Sequence, residues 1–168
     1  MKLSSSAFEH EGKMPSKYTC DGDNVNPPLI FSDVPADTKS LAIIMDDPDV
    51  PKRLRVDGMW DHWIVFNLSA SLREIKEGEK PEGTHGLGTG GNLNYLGPCP
   101  PDGEHRYFFK LYALDTRLDL PEKSTKPQVE KAMEGHILAQ TELMGRYQRM
   151  KIIKRLLGKM LKRILSRN

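Results

Sequence analysis

The stretch CPPDGEHRYFFKLYAL, residues 99–114, decides the fold. Two prolines and an Asp-Gly pair set a turn, after which Tyr107, Phe108, Phe109, Leu111, Tyr112 and Leu114 make a short run rich in aromatic and apolar residues, with the composition of a buried strand. In an extended chain side chains alternate faces, so His105, Tyr107, Phe109 and Leu111 share one side, and Arg106, Phe108 and Lys110 share the other. His105 and Tyr107 therefore point together at the polar mouth of an apolar row. Arg106, on the opposite face, reads as a brace that fastens a loop through its planar fork of donors.

The pattern recurs. LAIIMDD (41–47) and HWIVFNL (62–68) are also short apolar runs bounded by Pro, Gly or Asp. The first ends in DDPDVP, where Pro48 and Pro51 keep the preceding residues extended. In the second, alternation groups His62 with Ile64 and Phe66. Long stretches of turn chemistry separate the runs, at 20–28, 47–58 and 81–103, and loops of that length in a small domain are usually functional. Helix signals wait until 124–148. There Thr125 and Gln128 form a capping box, Pro127 sits in the first turn, and Val129, Met133, Ile137 and Met144 mark an apolar stripe. Strands first and helix last imply a mainly β protein, an antiparallel β-sandwich with a C-terminal helix packed on it.

Composition agrees. The chain has 168 residues, 38% hydrophobic and 29% charged, the profile of one folded domain. No N-terminal run resembles a signal peptide and no segment approaches membrane-spanning length, so the expected location is cytoplasmic. Cys20 and Cys99 are too few for a disulfide scaffold and lack zinc-site spacing, and are expected to be two separate thiols. Seven of the 25 basic residues and none of the 23 acidic ones follow Met150, so residues 1–150 carry a balance of −5 beneath a net charge of +2. The organisation expected is a body, 1–149, and a basic tail, 150–168. Apolar pairs at 152/153, 156/157, 160/161 and 164/165 alternate with Lys and Arg, as in an amphipathic helix suited to an anionic membrane surface or an acidic partner, or equally to packing on its own domain or on a second subunit as a dimer. No nucleic-acid partner is expected.

If the strand mouths converge, Asp47, Asp49, His62, His105 and Tyr107 enclose a polar-floored pocket. Two His and two Asp could hold zinc or iron. Imidazolium, hydroxyl and loop amide groups could equally bind a phosphate-type anion, more tightly as pH falls through the imidazole range. An enzyme using the same residues for metal-assisted or acid–base hydrolysis is the alternative. No nucleophile elbow, Walker loop or His-Glu-x-x-His motif is present. The acidic loop at Asp21 lacks the Glu at position twelve that calcium binding requires.

DDPDVP, then WDHWIVFNL, then GPCPPDGEHRYFFKLYAL, together with the early CDGDNVNPPLIFSDVP, resemble the phosphatidylethanolamine-binding protein family, in its bacterial and archaeal Raf kinase inhibitor-like branch. The resemblance runs from about residue 2 to residue 149. It implies a Greek-key β-sandwich with a small pocket for phospholipid head groups, nucleotides or similar anions, and a regulator that inhibits a kinase or protease by binding, without a cofactor. Carried over by position, the ligand-binding set is Asp47, Asp49, Trp60, His62, Pro101, His105 and Tyr107. Asp61 stands where animal members often have a further histidine, and the stretch from Pro101 to His105 is shorter.

Overall fold

The computed structural model describes residues 1–149. The expected amphipathic helix of the tail lies outside the described residues. The chain builds β1 (Lys2–Ser4), β2 (Leu29–Ser32), β3 (Ser40–Asp47), β4 (Trp60–Ser69), β5 (Glu74–Ile75), β6 (Thr84–His85), β7 (Glu104–Leu114), α1 (Lys126–Met133) and β8 (Ile137–Gln148). A three-stranded sheet, β1-β2-β5, faces a five-stranded one, β6-β4-β3-β7-β8, and every pairing within the two sheets is antiparallel. The link from β4 to β7 carries the chain past β3, a connection of the Greek-key kind.

The three apolar runs become β3, β4 and β7, adjacent in the large sheet because each is apolar enough to be covered on both faces. Leu41, Ile43, Met45, Trp63, Val65, Tyr107, Phe109 and Leu111 pack between the sheets against Leu3, Leu29, Phe31 and Ile75. Ala42, Ile44, Ile64 and Phe66 point the other way, toward Val129 and Met133 of α1. All eight residues of β3 are buried.

The same outer face carries a charged network. Asp46 is fully buried, and its carboxylate accepts hydrogen bonds from Lys110 at 2.7 Å and from Lys126 of α1. Lys126 also lies 3.4 Å from Asp61. Burial opposes the charge on Lys126, yet Asp46 and Asp61 outweigh it and hold the ammonium above its ordinary pKa. The network bolts the helix to the sheet.

The helix is where the structure corrects the sequence reading. The Thr125 N–H donates to Gln128 Oε1 at 2.8 Å and Pro127 lies in the first turn, as expected. But the helix stops at Met133. Gly135 adopts φ +78°, a conformation that turns the chain out of a helix. The apolar stripe therefore breaks: Val129 and Met133 are buried on α1, Ile137 is 41% exposed at the start of β8, and Met144 is buried within that strand. Residues 137–148 pair with β7 along its whole length, and that long ladder overrides the helical spacing.

Candidate functional site

β3 ends, β4 begins, β7 begins and β8 ends at one edge of the large sheet, and the loops 48–59 and 96–103 rise from that edge. They enclose a cavity of about 360 Å³. Val50, Leu54, Trp60, Leu96, Pro100 and Pro101 form apolar walls, and Asp47 and His62 form a polar floor.

His62 reaches that floor through a β-bulge. Met45 pairs with Trp63 but Asp46 pairs with Asp61, so β4 has one residue too many at this point and His62 is the extra one. Simple alternation would send His62 with Ile64 and Phe66 toward the helix. The bulge turns it to the cavity instead, where its ring meets the edge of Tyr107 at 5.3 Å. Its Nδ1 is 2.6 Å from the Leu96 carbonyl oxygen, so the neutral ring donates from Nδ1 and keeps a lone pair on Nε2. Burial pushes the imidazole pKa down, and the carboxylates of Asp47, Asp46 and Asp61 only partly offset this.

Asp47 is the most constrained group. Its Oδ1 accepts the Asp49 N–H at 2.8 Å and its Oδ2 accepts from His105 Nδ1 at 2.7 Å, with both the Asp47 and His105 side chains 4% exposed. The rings of His105 and Tyr107 stack with centroids 6.4 Å apart. Tyr107 is fully buried and its hydroxyl completes no hydrogen bond among the described residues. Burial first, and the neighbouring Asp47 charge second, push its ionisation far above the usual phenol range. Its hydroxyl therefore stays protonated beneath the cavity floor, close to the Asp47 carboxylate.

The seven residues expected to form the site are divided. Asp47, Trp60, His62 and Pro101 line the cavity, and Tyr107 lies under it. His105 and Asp49 border a neighbouring groove of about 400 Å³ with Asp102 and Arg106, and His105 Nε2 faces Asp102 at 3.9 Å. Asp49 receives the Arg106 guanidinium as a fork, at 2.9 and 2.7 Å, and the Arg106 N–H at 2.9 Å. Those bonds hold its carboxyl below the usual range. Arg106 is the brace that strand alternation implied.

The rim contains a second correction. Cys20 and Cys99 are not separate thiols but a disulfide across 79 positions, exposed at the mouth of the cavity. Close backbone contacts bring them together: the Cys20 N–H donates to Pro98 O at 3.1 Å and the Tyr95 hydroxyl to Tyr18 O at 2.8 Å. Gly97 makes the approach feasible, since a Cβ there would lie 2.4 Å from Tyr18 O. Leu96, whose carbonyl sets the His62 tautomer, and the wall residues Val50 and Leu54 were also missed from sequence. The signal for them was the length of the loops 47–58 and 81–103 that carry them. Among the described residues no three His, Cys, Asp or Glu side chains converge as a metal-ligand group, and no helix is long and apolar enough to cross a membrane.

Comparison with known proteins supplies the context. Residues 4–148 match the model of the family described as phosphatidylethanolamine-binding protein. A UPF0098 protein of Chlamydia muridarum is 51% identical over 148 residues, which cover 88% of this chain and 99% of the relative. One from Methanothermobacter thermautotrophicus is 47% identical over 155 residues, covering 89% and 99%. The crystal structure of a phosphatidylethanolamine-binding protein homolog from Chlamydia trachomatis superposes with a TM-score of 0.86 at 49% identity, covering 88% of this chain and 97% of that one. YBCL of E. coli, a member of the mammalian PEBP family, superposes at 0.80 with 27% identity, covering 89% and 98%. Family model, relatives and fold agree, and the chain belongs to the phosphatidylethanolamine-binding protein family.

Proposed function

We propose that this protein is a non-catalytic binding protein for a phosphate-type anion, and that a phospholipid head group fits its cavity best. The observation that carries the reading is the cavity floor: a buried neutral imidazole next to a carboxylate, above a buried phenol. An incoming phosphate oxygen stabilises the imidazolium form of His62, which then donates from Nε2, while Nδ1 stays on the Leu96 carbonyl. Asp47 is held in place by His105 and the Asp49 amide, so its charge repels a bare dianion. It favours a ligand that brings its own cation or proton, such as phosphoethanolamine.

The binding reading is preferred over hydrolysis because the histidine backed by a carboxylate, His105, borders the outer groove and not the cavity. Inhibition of a kinase or protease is supported by the family resemblance. The test is calorimetric titration of phosphoethanolamine and inorganic phosphate between about pH 5.5 and 7.5. Above both the lowered His62 pKa and the second pKa of the phosphate itself, about 6 for a phosphomonoester, the complex takes up one proton, so affinity falls about tenfold per pH unit as pH rises. Affinity that does not change with pH, or that survives His62→Phe, overturns the reading.

A further inference from the structure

A second cavity, of about 250 Å³, lies behind the loop that walls the first. Asn94 and Tyr95 face it, whereas the next two residues, Leu96 and Gly97, face the first cavity. Neighbouring residues of β4 divide in the same way, His62 lining the first cavity and Trp63 the second. None of the residues assigned to anion binding lines it.

Its walls are fixed by contacts of their own. Trp63 meets Tyr95 edge-on, with ring centroids 5.7 Å apart, and the Tyr95 hydroxyl donates to Tyr18 O at 2.8 Å. His85 is buried, and its Nδ1 and Nε2 each lie 3.1 Å from a carbonyl oxygen, that of Leu93 and that of Pro81. The imidazole thus ties two wall segments together and leaves no polar atom for a ligand.

Two other polar atoms are left over. Asn26 is 3% exposed, and its Nδ2 donates to Pro27 O at 3.1 Å and to Lys76 O at 2.9 Å. Those two acceptors fix which end of the amide is the oxygen, and Oδ1 accepts no hydrogen bond among the described residues. Trp63 is 2% exposed, and its indole N–H donates to nothing among the described residues. Neither atom is sealed inside protein, so both open to the cavity that the two side chains line. Buried polar groups are ordinarily partnered, and an acceptor and a donor left free in one cavity are the complement of a ligand. The rim charges, Glu79 and Lys80, are of opposite sign, and Glu79 is turned aside to the Lys76 N–H at 2.6 Å. An ion would find no net charge here to offset its desolvation.

We propose that this cavity binds a small neutral amide, whose N–H donates to Asn26 Oδ1 and whose carbonyl accepts from the Trp63 indole. A carboxamide and a lactam ring both carry that donor and acceptor on one planar edge, and the aromatic walls suit a flat group. A cavity of about 150 Å³ holds a benzene ring, so this one admits a ring with a substituent.

The test is titration of the nitrogen-labelled full chain with nicotinamide and with uracil, read at the indole N–H resonances. The chain has two tryptophans, and Trp60→Phe identifies which signal is Trp63. That signal is expected to shift and saturate while the Trp60 signal stays in place. Saturation by nicotinamide alone assigns a carboxamide, and by uracil alone a lactam. Methyl nicotinate keeps the carbonyl but lacks the N–H, and should bind about tenfold more weakly than nicotinamide because Asn26 Oδ1 is then left without a donor. A Trp63 signal that does not move with either amide up to about 10 mM, the cavity holding water only, overturns the proposal. Equal affinity for nicotinamide and methyl nicotinate overturns it too, as does displacement of the amide by saturating phosphoethanolamine, which would place it in the first cavity.

Discussion

Opening the bond between Cys20 and Cys99, by dithiothreitol or by Cys20→Ser/Cys99→Ser, should separate what the disulfide does for the unfolded chain from what it does for the cavity. It closes a loop of 79 positions, and the chain-entropy cost of closing a loop that long is about 4.5 kcal/mol at 25 °C. The native rim has other ties: the Cys20 N–H on Pro98 O at 3.1 Å, the Gly97 N–H on Asn24 Oδ1 at 2.8 Å and the Tyr95 hydroxyl on Tyr18 O. Cleavage should therefore act on the unfolded ensemble and leave the cavity in place. For a body of this size about 1 kcal/mol moves the melting temperature by about 2–4 °C, so reduction should lower it by roughly 10–15 °C. The domain stays folded at 25 °C if its stability lies in the usual range of about 5–15 kcal/mol. Thermal and urea unfolding with and without reductant measure the loss, and phosphoethanolamine titration of the reduced protein reads the cavity. A melting shift below about 2 °C would refute the entropic reasoning. Loss of binding without unfolding would refute the claim that non-covalent contacts hold the rim.

Because the folded pKa of His62 is depressed below the ordinary value of about 6.5, the unfolded chain takes up the proton first as pH falls. His62 should therefore cost stability below about pH 6.5 and none above about pH 7.5. Urea midpoints of the parent and His62→Phe should differ in slope across that window, and saturating phosphoethanolamine should shrink the difference. Lys126→Met leaves buried Asp46 with Lys110 alone and removes the cation beside Asp61, and should cost about 3 kcal/mol in urea unfolding. Gly97→Ala places a Cβ 2.4 Å from Tyr18 O and 2.9 Å from Thr19 Cα. It should cost about 1–3 kcal/mol and weaken ligand titration as well, because Gly97 lines the cavity wall.

What could be read from the residues was what a single segment determines. The apolar runs became β3, β4 and β7, and alternation along β7 separated the inward His105 and Tyr107 from the bracing Arg106. Thr125, Pro127 and Gln128 marked the helix start because a cap is built from consecutive residues. The helix end was missed because residues 137–148 are claimed by pairing with β7, a partner whose presence their own spacing does not record. Cys20 and Cys99 were missed for a related reason. Their pairing follows from two loops meeting over Gly97, and a separation of 79 residues carries no motif.

His62 shows how far this distinction reaches into function. The segment DHWIVFN places it by alternation with Ile64 and Phe66, on the face that packs against α1. Its actual face is set by the register between β3 and β4, where Asp46 pairs with Asp61 and leaves His62 unopposed. That register is in turn anchored by the charges it brings together: Asp46 and Asp61 share Lys126 on the helix side. The same bulge thus puts a carboxylate into the helix bolt and an imidazole into the cavity. Shifting the register by one residue would exchange the two faces, leaving Asp46 without its cations and the cavity floor without its proton acceptor. The salt-bridge network behind the sheet and the cavity in front of it are therefore one structural decision, and the stability of the first maintains the chemistry of the second.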